Sequence, residues 1–276
     1  MRTPMIVIAA ALALFQAAPV VAQPAEPDLD AALASAGVDA QTATFIARRL
    51  EDGAEWVVNA DRSAIRFPPA STSKIPHTLI ALETGFADPD THFEWDGQTR
   101  AFDVWNQDQT MTSAFRVSAV WVYQRMTATL GGETMAAWLD RFDYGNETIG
   151  GEADLTQYWL DGPLEISARE QVDFLERLAL DRLPVSAQTM AQARGIMQVA
   201  TGEDDRGPWT LYAKTGWRFR DAALDTGWYV GWVERPGETW AFALNMDMPE
   251  RADVARRRPA AHAALIALDV LPEGAE

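Results

Sequence analysis

The chain has no cysteine, which excludes disulfides, thiolate metal sites and a cysteine nucleophile. Histidine is scarce: His77, His92 and His262 are too few and too scattered for a zinc site, so no metal is expected. Positive charge is also in short supply. Lys+Arg total 23 against 40 Asp+Glu, a formal net charge of −17 that repels phosphate backbones and anionic lipid headgroups. Nucleic acid and membrane surfaces are thereby set aside as partners. No Gly-x-Ser-x-Gly elbow occurs, and His77 lies six residues from Ser71 on one helical run, pointing away from its face, which disfavours a Ser-His-Asp triad. Internal repeats and low-complexity tracts are lacking as well.

What remains is a chain of 276 residues, 48% hydrophobic and with 11 Trp, enough to bury one large core or two smaller ones. Its start reads as a cleaved secretory signal over 1–22: Arg2 gives a positive end, Ile6 to Leu14 an apolar run, and Val20-Val21-Ala22 a small-residue site before Gln23. The apolar run is shorter than the ~20 residues of a spanning helix. The expectation is a periplasmic protein with no stable membrane insertion.

Texture changes twice along the mature chain. Thr42 to Leu50 and Glu55 to Asn59 read as two strands joined at Asp52-Gly53. From about Ser71 to Leu183 the apolar spacing turns helical, with runs at Ile75–Leu82, Val117–Met126 and Ala168–Leu180. Strand texture returns at Thr210–Ala213, Gly227–Glu234 and Thr239–Asn245, the last two turned by Pro236-Gly237, and Pro259 opens a final helix through Leu268. The expected fold is a mixed α/β (α+β) one. Residues 23–65 and 186–276 form an antiparallel sheet flanked by helices, residues 66–185 an inserted helical domain, and the active site lies between them.

Of the 23 basic residues 21 are Arg, leaving Lys74 and Lys214 alone. A G+C-rich genome accounts for the arginines but not for where the two exceptions sit. Arg keeps its proton at any accessible pH, whereas a buried Lys can become a neutral amine able to act as base. Lys74 ends Pro69-Ala70-Ser71-Thr72-Ser73-Lys74 ahead of a helical pattern, and a spacing of three on a helix puts amine and hydroxyl on one face. That is a nucleophile beside its base, although a capping serine and a surface lysine would share the spacing. Lys214 begins Lys214-Thr215-Gly216 at the end of a strand, where a cation and a hydroxyl can meet an anionic substrate and glycine admits it to the backbone. Ser118-Ala119-Val120, on a helical segment between them, supplies a second hydroxyl as a proton relay.

A Ser-x-x-Lys, a mid-chain Ser-x-Val and a late Lys-Thr-Gly in this order resemble the penicillin-recognising serine enzymes. Phe67 to His77, Ala81 to Gly85, Trp105 to Asp108, Tyr144 to Asn146, Trp159 to Gly162, Ile166-Ser167 and Gly227 to Glu234 narrow the resemblance to the class D, oxacillinase-type β-lactamases, from about Phe67 to the C-terminus. Ser73 departs from a bulky apolar residue and Trp121 from a common proline, which bears on substrate preference.

The resemblance implies a β-lactamase/transpeptidase-like fold and hydrolysis of a small-molecule β-lactam through an acyl-enzyme on Ser71, by a monomer or homodimer. Lys74 is the general base, with a pKa lowered by apolar walls and by the cation of Lys214. The resemblance further implies that Lys74 carries carbon dioxide as a carbamate, held by Trp159, with no other cofactor. Ser118 then protonates the departing nitrogen, and backbone N–H groups of Ser71 and Trp217 form the oxyanion hole. Val120, Lys214, Thr215, Gly216 and an arginine bind substrate, with Trp105 beside them. Arg257 is the best match for the arginine, with Arg256 one residue away as the alternative. Arg220 falls in the loop that tunes substrate range. A penicillin sensor or a DD-peptidase would share the acylation but not the efficient turnover.

Overall fold

A computed structural model describes residues 27–219 and 224–275, so the expected signal segment, 1–22, and Arg220 lie outside the described residues. The N-terminal helix α1 (Leu29–Ser35) leads into strands β1 (Ala43–Arg49) and β2 (Glu55–Val58). Gly53, at φ 73°, turns that hairpin as expected. A short helix α2 (Ala60–Ser63) precedes the long excursion, which carries α3 (Lys74–Glu83), the small pair β3 (His92–Phe93) and β4 (Gln109–Thr110), α4 (Met111–Val117), α5 (Val120–Leu130), α6 (Gly132–Arg141), α7 (Ala168–Ala179) and α8 (Ala187–Met197). The chain then lays down β5 (Gln198–Asp204), β6 (Gly207–Arg218), β7 (Asp225–Arg235) and β8 (Glu238–Met248), and ends with α9 (Arg257–Ala267).

The large sheet has the order β2-β1-β8-β7-β6-β5, and each neighbouring pair in it is antiparallel. The first strands pair with the last one, so both ends of the chain build one sheet and the helices are inserted between them. Side chains on β8 alternate strictly. Phe242, Leu244 and Met246 join the core under α1 and α9, whereas Ala241 and Ala243 face the helical layer, where α7 packs across β8, β1 and β7. Both faces are covered, which is why the central strands read as nearly unbroken apolar runs. Gly231 on β7 is a packing requirement: an added Cβ would meet Tyr212 O at 2.0 Å.

Several boundaries differ from the sequence reading. The helical run expected over Val117–Met126 is broken at Ser118, between α4 and α5. Strand β6 runs on to Arg218, so Lys214-Thr215-Gly216 lies within a strand and not past its end. The last helix starts at Arg257, two residues ahead of Pro259. α1, α8 and β5 lacked a clear signal. α8 packs against α3 and α4, and β5 is an edge strand whose outward residues are polar or exposed, so neither carries a clean periodicity.

One feature of β6 prepares the site. Its pairing with β5 stops at Gln198↔Tyr212, while its pairing with β7 continues to Arg218↔Thr226. Residues 213–218 therefore run along β7 on one side and, on the other, against the turn Ala70–Ser73 that precedes α3.

Candidate active site

The turn carrying Ser71 is held from several directions. Phe67 and Ile166 exchange backbone hydrogen bonds, the Trp228 indole N–H donates to Pro68 O at 3.0 Å, and Ala70 N–H donates to Trp159 O at 2.9 Å. Fully buried Ala70 sits at φ +49°, a left-handed conformation that costs a non-glycine residue of order 1 kcal/mol or more and persists only where the surroundings enforce it. Ala70–Ser73 is a 3₁₀ turn and Lys74 opens α3. Three residues per turn aligns i with i+3 more closely than an α-helix does, so Ser71 and Lys74 face each other directly. The hydroxyl of Thr72 donates to Pro69 O at 2.8 Å and accepts from Gln171 Nε2 at 2.8 Å. Ser73 is fully buried, its hydroxyl satisfied by Ala70 O at 2.7 Å.

Lys74 has no exposed surface, and its Nζ donates to Ser71 Oγ at 3.0 Å over the Tyr123 ring, 5.0 Å from the centroid. Burial lowers its pKa from 10.5 to about 7. The sequence reading assigned part of that shift to Lys214, and the two amines do repel each other: Lys214 is pushed well below its ordinary value by burial first and then by Lys74, Arg257 and Arg258. With the amine neutral, the same contact reverses and the Ser71 hydroxyl donates to the nitrogen lone pair.

Ser118 closes α4 in the left-handed region, at φ 59° and ψ 37°. It is thus at a helix junction and not on a helical face, and the break aims its hydroxyl at β6, where Lys214 Nζ donates to Oγ at 2.5 Å. Lys214 also donates to Thr215 O at 3.3 Å. Val120, half-buried, is the first residue of α5. A Cβ at Gly216 would lie 2.9 Å from Pro69 O, 3.0 Å from Trp228 Cβ and 3.1 Å from Thr72 Cγ2, so the missing side chain lets β6 close on the turn that carries Ser71.

Of the three consecutive arginines, Arg257 turns toward this strand, its Nη1 donating to Gly216 O at 2.5 Å and its Nε to Val254 O at 2.8 Å. Arg256 faces away, bonded to Gly37 O and paired with Asp253 at 2.8 Å. Burial, with Arg258 adding to it, brings the Arg257 guanidinium down to about 10, so it remains a cation at neutral pH. Lys74, Lys214, Arg257 and Arg258 therefore converge here in a strongly acidic protein, with burial working against the charge of the two lysines.

The tryptophans divide. Trp159 is fully buried, and its indole N–H has no hydrogen-bond partner among the described residues. Trp105 Nε1 donates to Val117 O at 2.9 Å, and Trp121 Nε1 donates to Trp105 O at 3.0 Å, which ties the turn carrying Trp105 to the Ser118 junction. Trp217, half-buried on β6, donates its indole N–H to Asp225 at 2.7 Å and meets the Phe102 ring at 6.2 Å. Residues overlooked in the sequence also gather here. His77 and Tyr158 are buried against Trp159, and Arg218 reaches Asp161 at 2.6 Å. Measured from Lys74, three residues before it on α3, His77 would have been legible; measured from Ser71 it looked remote.

The penicillin-binding-protein transpeptidase domain matches residues 28–266 of this chain. β-Lactamase OXA-15 of Pseudomonas aeruginosa is 41% identical over 226 residues, 81% of this chain and 78% of the relative. β-Lactamase OXA-48 of Klebsiella pneumoniae is 43% identical over 193 residues, covering 69% and 70%. Among solved structures, the class D β-lactamase YbXI from Nostoc superposes with a TM-score of 0.82 at 33% identity, over 88% of this chain and 99% of that one. FUS-1 (OXA-85), a class D β-lactamase from Fusobacterium nucleatum subsp. polymorphum, gives 0.81 at 31% identity, over 88% and 98%.

Proposed function

The chain belongs to the class D β-lactamases, within the penicillin-binding-protein transpeptidase family, and from that membership we propose that it hydrolyses penicillin-type β-lactams through an acyl-enzyme on Ser71. The observation that carries the reading is the 3.0 Å contact between Ser71 Oγ and the amine of a fully buried lysine. A serine hydroxyl is a weak nucleophile until a base takes its proton, and burial supplies that base by making the Lys74 ammonium unfavourable.

In acylation, Lys74 accepts the Ser71 proton as Oγ attacks the lactam carbonyl. The backbone N–H groups of Ser71 and Trp217 receive the developing oxyanion. Ser118, hydrogen-bonded by Lys214, delivers a proton to the departing ring nitrogen. The substrate carboxylate meets Lys214, Thr215 and Arg257, while Trp105 and Val120 line the approach. Water then cleaves the ester, with Lys74 the base within reach. Gly216, lacking a side chain, admits the substrate to the β6 backbone.

Carbon dioxide on Lys74 fits the residues present. Its formation needs an uncharged amine, which burial provides, and the orphaned indole N–H of Trp159 offers a donor to the new carboxylate. When bound, the carbamate supplies an anionic oxygen base in place of an amine. The division of the chain proposed above, 23–65 with 186–276 around 66–185, puts this chemistry at the seam between sheet and helices. Export to the periplasm is proposed on the signal-like start, and no helix among the described residues is long and apolar enough to cross a membrane.

Purified protein given excess nitrocefin or benzylpenicillin should turn over many equivalents, and Ser71→Ala should lower the rate by a factor of at least about 10³. A single stoichiometric burst without turnover would instead identify a sensor or peptidase that acylates and stalls.

A further inference from the structure

His77 and Tyr158 are fully buried, and the mechanism above uses neither. Their polar ends meet each other: His77 Nε2 and Tyr158 OH are 2.6 Å apart. The His77 ring stands edge-on to Tyr158 (centroids 5.5 Å, planes at 72°) and to Trp159 (4.9 Å, 86°), while Tyr158 and Trp159 are edge-on to each other (4.9 Å, 81°). The three rings interlock against α3, where His77 lies one turn beyond Lys74. Trp159 is thus held at two ends, its carbonyl by Ala70 N–H and its ring by His77.

We propose that His77 and Tyr158 form an uncharged buried strut that sets the Trp159 indole N–H for the carbon-dioxide adduct of Lys74, which makes both of them positioning residues. The inference rests on the Lys74 reading above. In that step the lone pair of neutral Nζ bonds to the carbon of carbon dioxide, one C=O π pair moves onto oxygen, and one Nζ proton leaves to solvent. The new anion needs an oriented donor, because a carboxylate buried without one is costly. Burial, with the charge of Lys74 adding to it, holds the imidazole near a pKa of about 3, so it stays neutral at working pH and fixes geometry without neutralising the adduct. The His77–Tyr158 bond pairs the Tyr158 hydroxyl with His77 Nε2 in an apolar core, while His77 Nδ1 has no hydrogen-bond partner among the described residues; removing one member alone strands the other.

The test uses ¹³C-bicarbonate and the whole protein. The carbamate ¹³C resonance is titrated in the native sequence, in Tyr158→Phe and in the double variant His77→Leu/Tyr158→Phe, with Lys74→Ala as the signal-free control. The double variant removes both polar partners and so protects the fold, which a thermal melt checks. The bicarbonate concentration at half-saturation should rise about five- to tenfold in both variants, the loss of one net hydrogen bond, with nitrocefin turnover recovering as bicarbonate saturates. Half-saturation within twofold of the native protein would overturn the strut. Absence of the resonance from the native protein would overturn the Lys74 reading itself, and the strut with it.

Discussion

Lys74 shows how burial becomes reactivity. An amine with no exposed surface loses the hydration that favours its cation, and its pKa comes down to about 7. In the proposed mechanism the neutral form accepts the Ser71 proton, so its fraction, and the rate with it, should rise with pH through that value. Turnover measured without added bicarbonate is expected to climb between about pH 6 and pH 8 with a midpoint near 7; a midpoint at the ordinary lysine value would show that the amine is solvated. Arg257 makes the complementary case. It reaches Gly216 O from the first turn of α9, whereas Arg256 reaches Gly37 O. Arg257→Ala should lower kcat/KM for carboxylate-bearing substrates by about 10- to 100-fold, the loss of a charge-assisted hydrogen bond, while Arg256→Ala leaves it within about twofold.

At the scale of elements, the site depends on a strand that outruns its neighbour. β6 continues six residues beyond its last partner on β5, and that length lies against the Ala70–Ser73 turn. Gly216 sets the spacing, because any Cβ would meet Pro69 O, Trp228 and Thr72 Cγ2 at 2.9–3.1 Å. Gly216→Ala should push β6 from the turn, lowering the acylation rate by more than tenfold and the melting midpoint by several degrees, as overpacking of about 1–3 kcal/mol does. Stopped-flow acylation and a thermal melt check the two halves separately. The break between α4 and α5 does similar work: one left-handed residue turns a continuous apolar run into two helices and presents Ser118 to Lys214.

Across the whole molecule, charge is distributed against its own average. The chain carries a net −17, yet Lys74, Arg257 and Arg258 lie close enough to Lys214 to lower its pKa. Long-range repulsion among surface carboxylates is screened by salt, while interactions at the buried Lys74 and Lys214 and the part-buried Arg257 are screened much less. The melting midpoint should therefore rise when ionic strength goes from about 0.02 M to about 0.5 M, while KM for an anionic β-lactam changes less than threefold. Differential scanning fluorimetry and steady-state kinetics across that range test both statements.

Chemistry was legible in the sequence because it resides in residue type and short spacing. Two lysines beside 21 arginines, a serine three positions before one of them, Thr-Gly after the other and the longer blocks from Phe67 to Glu234 were enough to name the family and to propose the nucleophile and the base, and the apolar strand runs were enough for the sheet. Boundaries and reasons were not legible, since they depend on what is packed alongside. The sequence does not reveal that Ser118 breaks a helix, that Gly216 lets β6 close on the Ser71 turn, that Arg257 and not Arg256 faces β6, or that His77 Nε2 and Tyr158 OH, 81 residues apart, meet. Contacts of that separation exist only once the chain has closed on itself, and burial, the quantity that lowers the Lys74 pKa, belongs to the folded molecule and to no stretch of its sequence.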